Sequence, residues 1–446
     1  MTSTAEMTLS APTLDRALAH TLDTVAAIVS GATLEPGRLA TAITASRRDP
    51  GDVTVVGDGS RTSARNAAFA NGVAAHADET DDSHEFSKTH PGAAVVPTAL
   101  AMGQAVGASG LDVLKAVRIG YDMCTTFSSA VWARSVHMRP RSELLIGAQF
   151  GALGAAIALS GADEQQARYA LAYGVQRASG TIAWLRDLAH VQKGVDFGGF
   201  PGQSAIEIAE LVTNGFTGVR DILDGEPNIF EVLGENSDPS LFDQLGVVDS
   251  LSASSIKKYS VGYPAQAPVD AMIELTRAHE FDVADVIAVR CIMPQQNIYV
   301  IGDRTMPNID LRYLLTVALV DRGLGFRASH DHERFHDPAV RALRDRVTLL
   351  PDNNPETRPA HLVGYPARIE IELESGEVLR GSAGVVRGRF ENPMPYEEVE
   401  QKCAALLWDC TLDPDPLLAA MRRLPRSETL DDLMTAAALP VGVSAS

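Results

Sequence analysis

The sequence predicts a mainly α protein, a large all-helical domain joined to a smaller α+β domain. From about residue 12 to 250, apolar residues recur at three- and four-residue steps with almost no strand signal. After about residue 280 that spacing gives way in places to apolar–polar alternation, the period of a half-buried strand. A chain of 446 residues also exceeds what one ordinary core organises, so two domains are expected.

In chain order, residues 1–11 read as a disordered N-terminus. LDRALAHTLDTVAAIV, ARNAAFANGVAAHA, PGAAVVPTALAMGQAVG, LDVLKAVRIGYDMCTTF, EQQARYALAYGVQRA and QSAIEIAELVTNG each carry the spacing of a helix, and their abundant Ala and Gly let helices approach closely. VADVIAVRCIM and ARIEIELESGEVLRGSAG alternate as strands, with Ser375-Gly376 as a hairpin turn. LRYLLTVALVDRG and PAVRALRDRVTLL read as helices between them, and YEEVEQKCAALLWDC as a helix returning to the first domain. The expected division is 12–268 with 395–446 for the helical domain and 269–394 for the smaller one.

Composition narrows the function. An apolar fraction of 45% with 21% charged residues describes a globular chain. The net charge of −19 argues against nucleic acid as a partner, because phosphate binding needs a basic face. Cys124, Cys291, Cys403 and Cys410 lack metal-ligand spacing and form no disulfide framework. With no leader-like N-terminus and no long apolar run, a cytoplasmic protein away from membranes is expected.

The segment HADETDDSHEFSKTHPGAAVVP, residues 76–97, concentrates histidines and carboxylates between two Ala-rich helical patterns, a polar density that packing does not explain. Pro91 suits a first helical turn, so His90 stands at a helix entrance, where unpaired N–H groups and the positive dipole end favour an anion such as a carboxylate.

This run also resembles the signature of the MmgE/PrpD family, which includes 2-methylcitrate dehydratases, cis-aconitate decarboxylases and iminodisuccinate epimerases. NGFTGVRDILDGEPNIFEVL, IKKYSVGYPAQAPVDAMIEL, MPNIDLRYLLTVALVD and DPAVRALRDRVTLLPD continue the resemblance in order, over most of the chain. The resemblance implies that the smaller domain is a lid, that the active site lies in the cleft between the domains, and that the protein is a homodimer. It implies a lyase, a dehydratase or decarboxylase of a small di- or tricarboxylic acid, working without metal or other cofactor. An epimerase of a dicarboxylate and a non-catalytic carboxylate-binding homologue are the alternatives. Chemistry beside a carboxylate needs cationic or N–H donors for the charge, a base for the C–H proton and, in dehydration, an acid for the leaving hydroxyl.

By position in these motifs, the resemblance assigns catalytic roles to Lys257, His90 and Tyr313. Lys257, beside Lys258, is expected to have a pKa lowered toward the working range, and Lys257→Ala to stop turnover with folding nearly unchanged. Asp81, Asp82, Ser83 and Tyr259 are expected around the substrate, the aspartates holding His90 or Lys257 in place, and His76 orienting the loop. Glu79 stands where many members carry aspartate. Departures are equally specific. His137 is the candidate for a displaced catalytic histidine, and Arg139 and Arg141 are alternative carboxylate clamps. Gln203 stands where some members have lysine or histidine, and Ser260, Val261, Tyr263 and Gln266 replace a more cationic pattern, which favours a smaller or less charged acid. A metal reading, in which His76 and Asp78 with a later histidine make a two-histidine, one-carboxylate site, is the weakest, since i and i+2 on a helix point apart.

Overall fold

Ser10 accepts the backbone N–H of Thr13 and so starts the first helix. The computed structural model describes residues 4, 7–132, 142–178, 180–189, 191–233, 237–352 and 366–440. Among the described residues, nine α-helices dominate the first half: α1 (Ala11–Ala32), α2 (Glu35–Arg47), α3 (Ala64–Ala77), α4 (Pro91–Val106), α5 (Gly110–Trp132), α6 (Glu143–Leu159), α7 (Glu164–Arg177), α8 (Val191–Gly194) and α9 (Phe200–Thr213). A ribbon of two short strands, β1 (Val53–Thr54) and β2 (Arg61–Thr62), lies between α2 and α3. Among the described residues no single helix is long and apolar enough to cross a membrane.

Small residues set how closely these helices meet. A Cβ on Gly72 of α3 would lie 2.5 Å from the carbonyl oxygen of Gly198, so the two backbones touch only because both positions are glycine. Gly198 belongs to Val195–Gly199, which winds as a π-helix between α8 and α9. That extra-wide turn presses Phe197 and the α8 residue Lys193 toward the C-terminal end of α3.

Buried apolar side chains form two large clusters. One draws on residues 17–256 and 394–439, the other on residues 259–386. The second surrounds a four-stranded sheet, β3 (Val286–Met293), β4 (Val347–Pro351), β5 (Ala367–Leu373) and β6 (Val378–Ala383), in the order β4-β3-β5-β6. β3 and β4 run parallel, whereas β5 pairs antiparallel with both β3 and β6. Alternation decides the faces: Ile369, Ile371 and Leu373 point inward while Glu370 and Glu372 meet Arg290 of β3 on the other side. Gly376, at φ +83°, makes the β5–β6 turn where the sequence predicts one.

One element differs. PAVRALRDRVTLL predicts a single helix, but the helix ends at Arg344 and Val347–Pro351 becomes β4. The open edge of β3 supplies backbone partners for this β-branched and leucine-rich stretch, and that pairing overrides its helical spacing. A helix at Tyr396–Asp409 buries Val399, Cys403, Leu406 and Leu407 in the first cluster.

The Gly72–Gly198 contact gives a direct test. Gly198→Ala should lower unfolding free energy by about 1–3 kcal/mol, read from denaturant melts, because neither backbone can retreat from the added methyl group.

Candidate active site

The site is assembled by one antiparallel bridge. Ser83 and Ser255 exchange backbone hydrogen bonds of 2.9 and 2.7 Å, joining the α3–α4 loop to the segment that leads into the second cluster. Side chains in such pairing alternate faces with a period of two, so Asp81, two residues before Ser83, comes opposite Lys257, two residues after Ser255. The Lys257 ammonium donates to Asp81 Oδ1 at 3.2 Å and to the Glu79 carbonyl at 2.9 Å, with Glu79 Oε2 at 3.4 Å. Glu79 adopts φ +59°, a left-handed turn that brings its carbonyl to the lysine.

Burial opposes the charge on Lys257, yet Asp81 and Glu79 outweigh it and its pKa is raised. The expected lowering is therefore corrected. Lys258, on the opposite face of an extended chain, pairs with Asp270 at 2.5 Å and does not share the environment of Lys257. Lys257→Ala would also take a buried counter-charge from Asp81 and Glu79, so a loss of stability of up to about 3–5 kcal/mol is expected of that variant beside its loss of turnover.

A second lysine enters from α8. Lys193 Nζ donates to Glu79 Oε1 at 2.8 Å and lies 5.6 and 5.3 Å from the ring centres of Trp184 and Phe197. Its pKa is lowered, first by burial, against the pull of Glu79. Lys193 is thus the lysine with the perturbation expected of Lys257. The sequence reading missed it; the available signal was the following Gly198-Gly199 pair, which permits the approach to α3.

The imidazoles gather on the other oxygen of Asp81. His76 Nδ1 donates to Asp81 Oδ2 at 2.7 Å, and His90 Nδ1 lies 3.5 Å from the same atom. His90 Nδ1 also stands 2.8 Å from the carbonyl of Asp82 and 3.2 Å from Ser83 Oγ. A carbonyl only accepts, so the proton of neutral His90 resides on Nδ1. Its Nε2 then carries a lone pair and has no hydrogen-bonding partner among the described residues. Burial drives the His90 pKa down to about 3 despite Asp81, keeping the ring neutral. The rings of His76 and His90 stand 5.1 Å apart, and Phe197 packs on both.

Asp82 faces the opposite way. It accepts from His20 Nδ1 at 2.7 Å, the Tyr121 hydroxyl at 2.6 Å and the Gly92 N–H at 2.9 Å, so it anchors the start of α4 and with it His90. Here a carboxylate rather than a substrate answers the helix N-terminus, and the expected anion site at the His90 entrance is internally filled. Asp78 turns toward Ser30 and the Thr80 N–H. The metal pair His76–Asp78 therefore does not form. His76, Asp81 and His90 do bring ligand atoms within 4.8 Å of one another, but the Nδ1 atoms of both rings carry the protons of the bonds just described and the Lys257 ammonium already sits on the carboxylate.

Residues between Ser260 and Arg389, the stretch of chain that carries the second cluster, close over this loop. His330 Nε2 lies 3.1 Å from the Asp78 carbonyl, Thr80 Oγ1 donates to Ser260 Oγ at 2.6 Å, and Glu85 bonds both Tyr263 and, at 3.0 Å, Arg389. Burial lowers His330 to about 4. His330 and Arg389 were also missed, since neither lies in a segment whose pattern singles it out.

Four residues singled out in the sequence are engaged or placed elsewhere. The Tyr313 hydroxyl donates to the carbonyls of Ala328 and Asp331, bracing the turn that carries His330 rather than reaching the lysines. The Tyr259 hydroxyl donates to Asp270 at 2.6 Å. Gln203 lines a separate cavity near the start of α3, away from Lys257 and His90. Gln266 caps the backbone N–H groups of Lys258 and Tyr259. His137, Arg139 and Arg141 lie outside the described residues.

Comparison with known proteins agrees with this arrangement of motifs. A family model described as the MmgE/PrpD N-terminal domain matches residues 3–241, and one described as the MmgE/PrpD C-terminal domain matches residues 259–412. Cis-aconitate decarboxylase of Homo sapiens is 26% identical over 372 residues, 77% of this chain and 73% of that protein. Cis-aconitate decarboxylase of Mus musculus is 25% identical over 366 residues, covering 76% and 71% respectively.

Asp78 supplies a pH test. Burial raises its pKa from 3.8 to about 7, so the folded chain holds a proton that the unfolded chain releases, and the stability this brings is lost as pH rises from about 4 through 7. Asp78→Asn, which mimics the protonated form, should match the wild type below pH 4 and exceed it at pH 8 by on the order of 2–4 kcal/mol in urea melts. A pH-independent difference would remove this assignment.

Proposed function

The chain belongs to the MmgE/PrpD family, and from that premise we propose that it is a cofactor-independent lyase acting on a small di- or tricarboxylic acid. The observation that carries this reading is a neutral His90, with its Nε2 lone pair unused, beside two buried ammonium groups that share Asp81 and Glu79. Similarity to two cis-aconitate decarboxylases supports a lyase rather than another outcome of the same proton chemistry.

In this reading Lys257 is the fixed cation and Lys193 the exchangeable acid. Glu79 bridges them as an internal carboxylate, which a substrate carboxylate displaces on binding. In dehydration, His90 Nε2 takes the proton from the carbon beside the carboxylate, the C–O bond breaks, and the Lys193 ammonium protonates the leaving hydroxyl as water. In decarboxylation, the C–C bond breaks, carbon dioxide leaves, and the electron pair left on carbon takes its proton from the same ammonium. Because one negative charge already occupies the lysine pair, an acid with fewer carboxylates is favoured. The second cluster serves as the lid, with the His330–Asp78, Thr80–Ser260 and Arg389–Glu85 contacts breaking when it opens.

Epimerisation is the one alternative that a specific feature favours, because His90 and Lys193 could deliver protons to opposite faces of one carbon. Incubating a panel of di- and tricarboxylic acids with the enzyme in deuterated water distinguishes the two. An unsaturated product or carbon dioxide is expected; deuterium entering recovered substrate with neither product would establish the epimerase. His90→Asn should lower kcat by about 10²–10⁴-fold at little cost in Tm, and an unchanged kcat would take His90 out of the mechanism.

A further inference from the structure

We propose that a cavity of about 380 Å³ between α3, α6, α7 and α9 is a second binding site, built for a small oxyanion, a carboxylate or a phosphate. It shares no lining residue with the His90–Lys257 cluster. Asn66, which lines it, lies ten residues before His76 on α3, about 15 Å along the helix.

Two buried side chains point to a ligand. Gln149 and Ser204 are 5% and 7% exposed, and their Nε2 and Oγ atoms have no hydrogen-bonding partner among the described residues. Leaving such a group unpaired costs about 1–3 kcal/mol. The Gln149 amide nitrogen only donates and the Ser204 hydroxyl both donates and accepts, so one acceptor group completes both.

The charges agree with that polarity. Arg47, Arg65 and Arg177 line the cavity against Asp49 and Glu207. Arg177 pairs with Glu207 at 2.7 Å, and Arg65 with Glu210 at 3.3 Å. Arg47 has no carboxylate partner among the described residues; its Nη1 donates to the neutral Asn66 Oδ1 at 2.7 Å, and its guanidinium lies 5.2 Å above the Phe69 ring. Asp49 is engaged by Asn66 Nδ2 at 2.9 Å. A guanidinium held in place without a carboxylate partner among the described residues, in the same lining as two orphaned polar groups, suits the bidentate recognition of a carboxylate or phosphate. Phe200, 54% exposed, adds an apolar wall for the organic part of such a ligand.

Isothermal titration of the full chain with sodium phosphate, and separately with disodium succinate, tests the proposal. At least one anion should bind, and which one does so separates a phosphate site from a carboxylate site. Binding at this site should weaken at least tenfold in Arg47→Gln, whose exposed side chain can be replaced without threatening the fold, and in Gln149→Leu. It should stay within twofold in Lys193→Met, which disables the other cluster. No binding of either anion would overturn the proposal, and so would binding that survives Arg47→Gln or disappears in Lys193→Met.

Discussion

A carboxylate kept ionised in the protein interior is the constraint on which the site depends. Asp81 is fully buried, and burial alone would raise its pKa; His76, Lys257 and His90 reverse that and hold it well below the ordinary carboxylate range. Its two oxygens divide the labour, one for Lys257 and one for the imidazoles. Remove the negative charge and the lysine keeps only Glu79 as a buried counter-charge, one that Lys193 already shares, while His76 loses its ionic partner.

The neighbouring aspartate shows how one dipeptide serves two ends. In the extended loop Asp81 and Asp82 face opposite sides, so Asp82 reaches His20, Tyr121 and the first turn of α4 while Asp81 reaches the lysine. Asp82 also offers its carbonyl to His90, which selects the ring tautomer with a lone pair on Nε2. Backbone geometry, through the Ser83–Ser255 bridge and the Gly72–Gly198 contact, therefore sets side-chain chemistry: the first brings Lys257, the second Lys193 and Phe197.

Much of this was legible in the residues. The helical spacing of α1, α3, α4, α5, α7 and α9, the β5–β6 hairpin and the density of polar groups at 76–90 are local patterns that survive into the structure. Lys257 and His90 were found through motif resemblance. Partners fixed by tertiary contact were not legible. Nothing local shows that Lys193 reaches Glu79, that Tyr313 is spent on Ala328, or that Gln203 belongs to a different cavity. Likewise the parallel pairing of β4 depends on an edge that β3 provides from more than fifty residues away. A lowered pKa was anticipated for a lysine, but its assignment to Lys193 rather than Lys257 follows from how many carboxylates each one touches.

The dependence of the site on the Asp81–Lys257 pair is measured most directly by a double-mutant cycle on folding free energy, using Asp81→Asn, Lys257→Met and the two combined. Each single variant should lose up to about 3–5 kcal/mol by removing a buried counter-charge from its partner, and the double should lose at least ~2 kcal/mol less than their sum. Strictly additive losses would show that the two groups do not support each other, and would contradict the account.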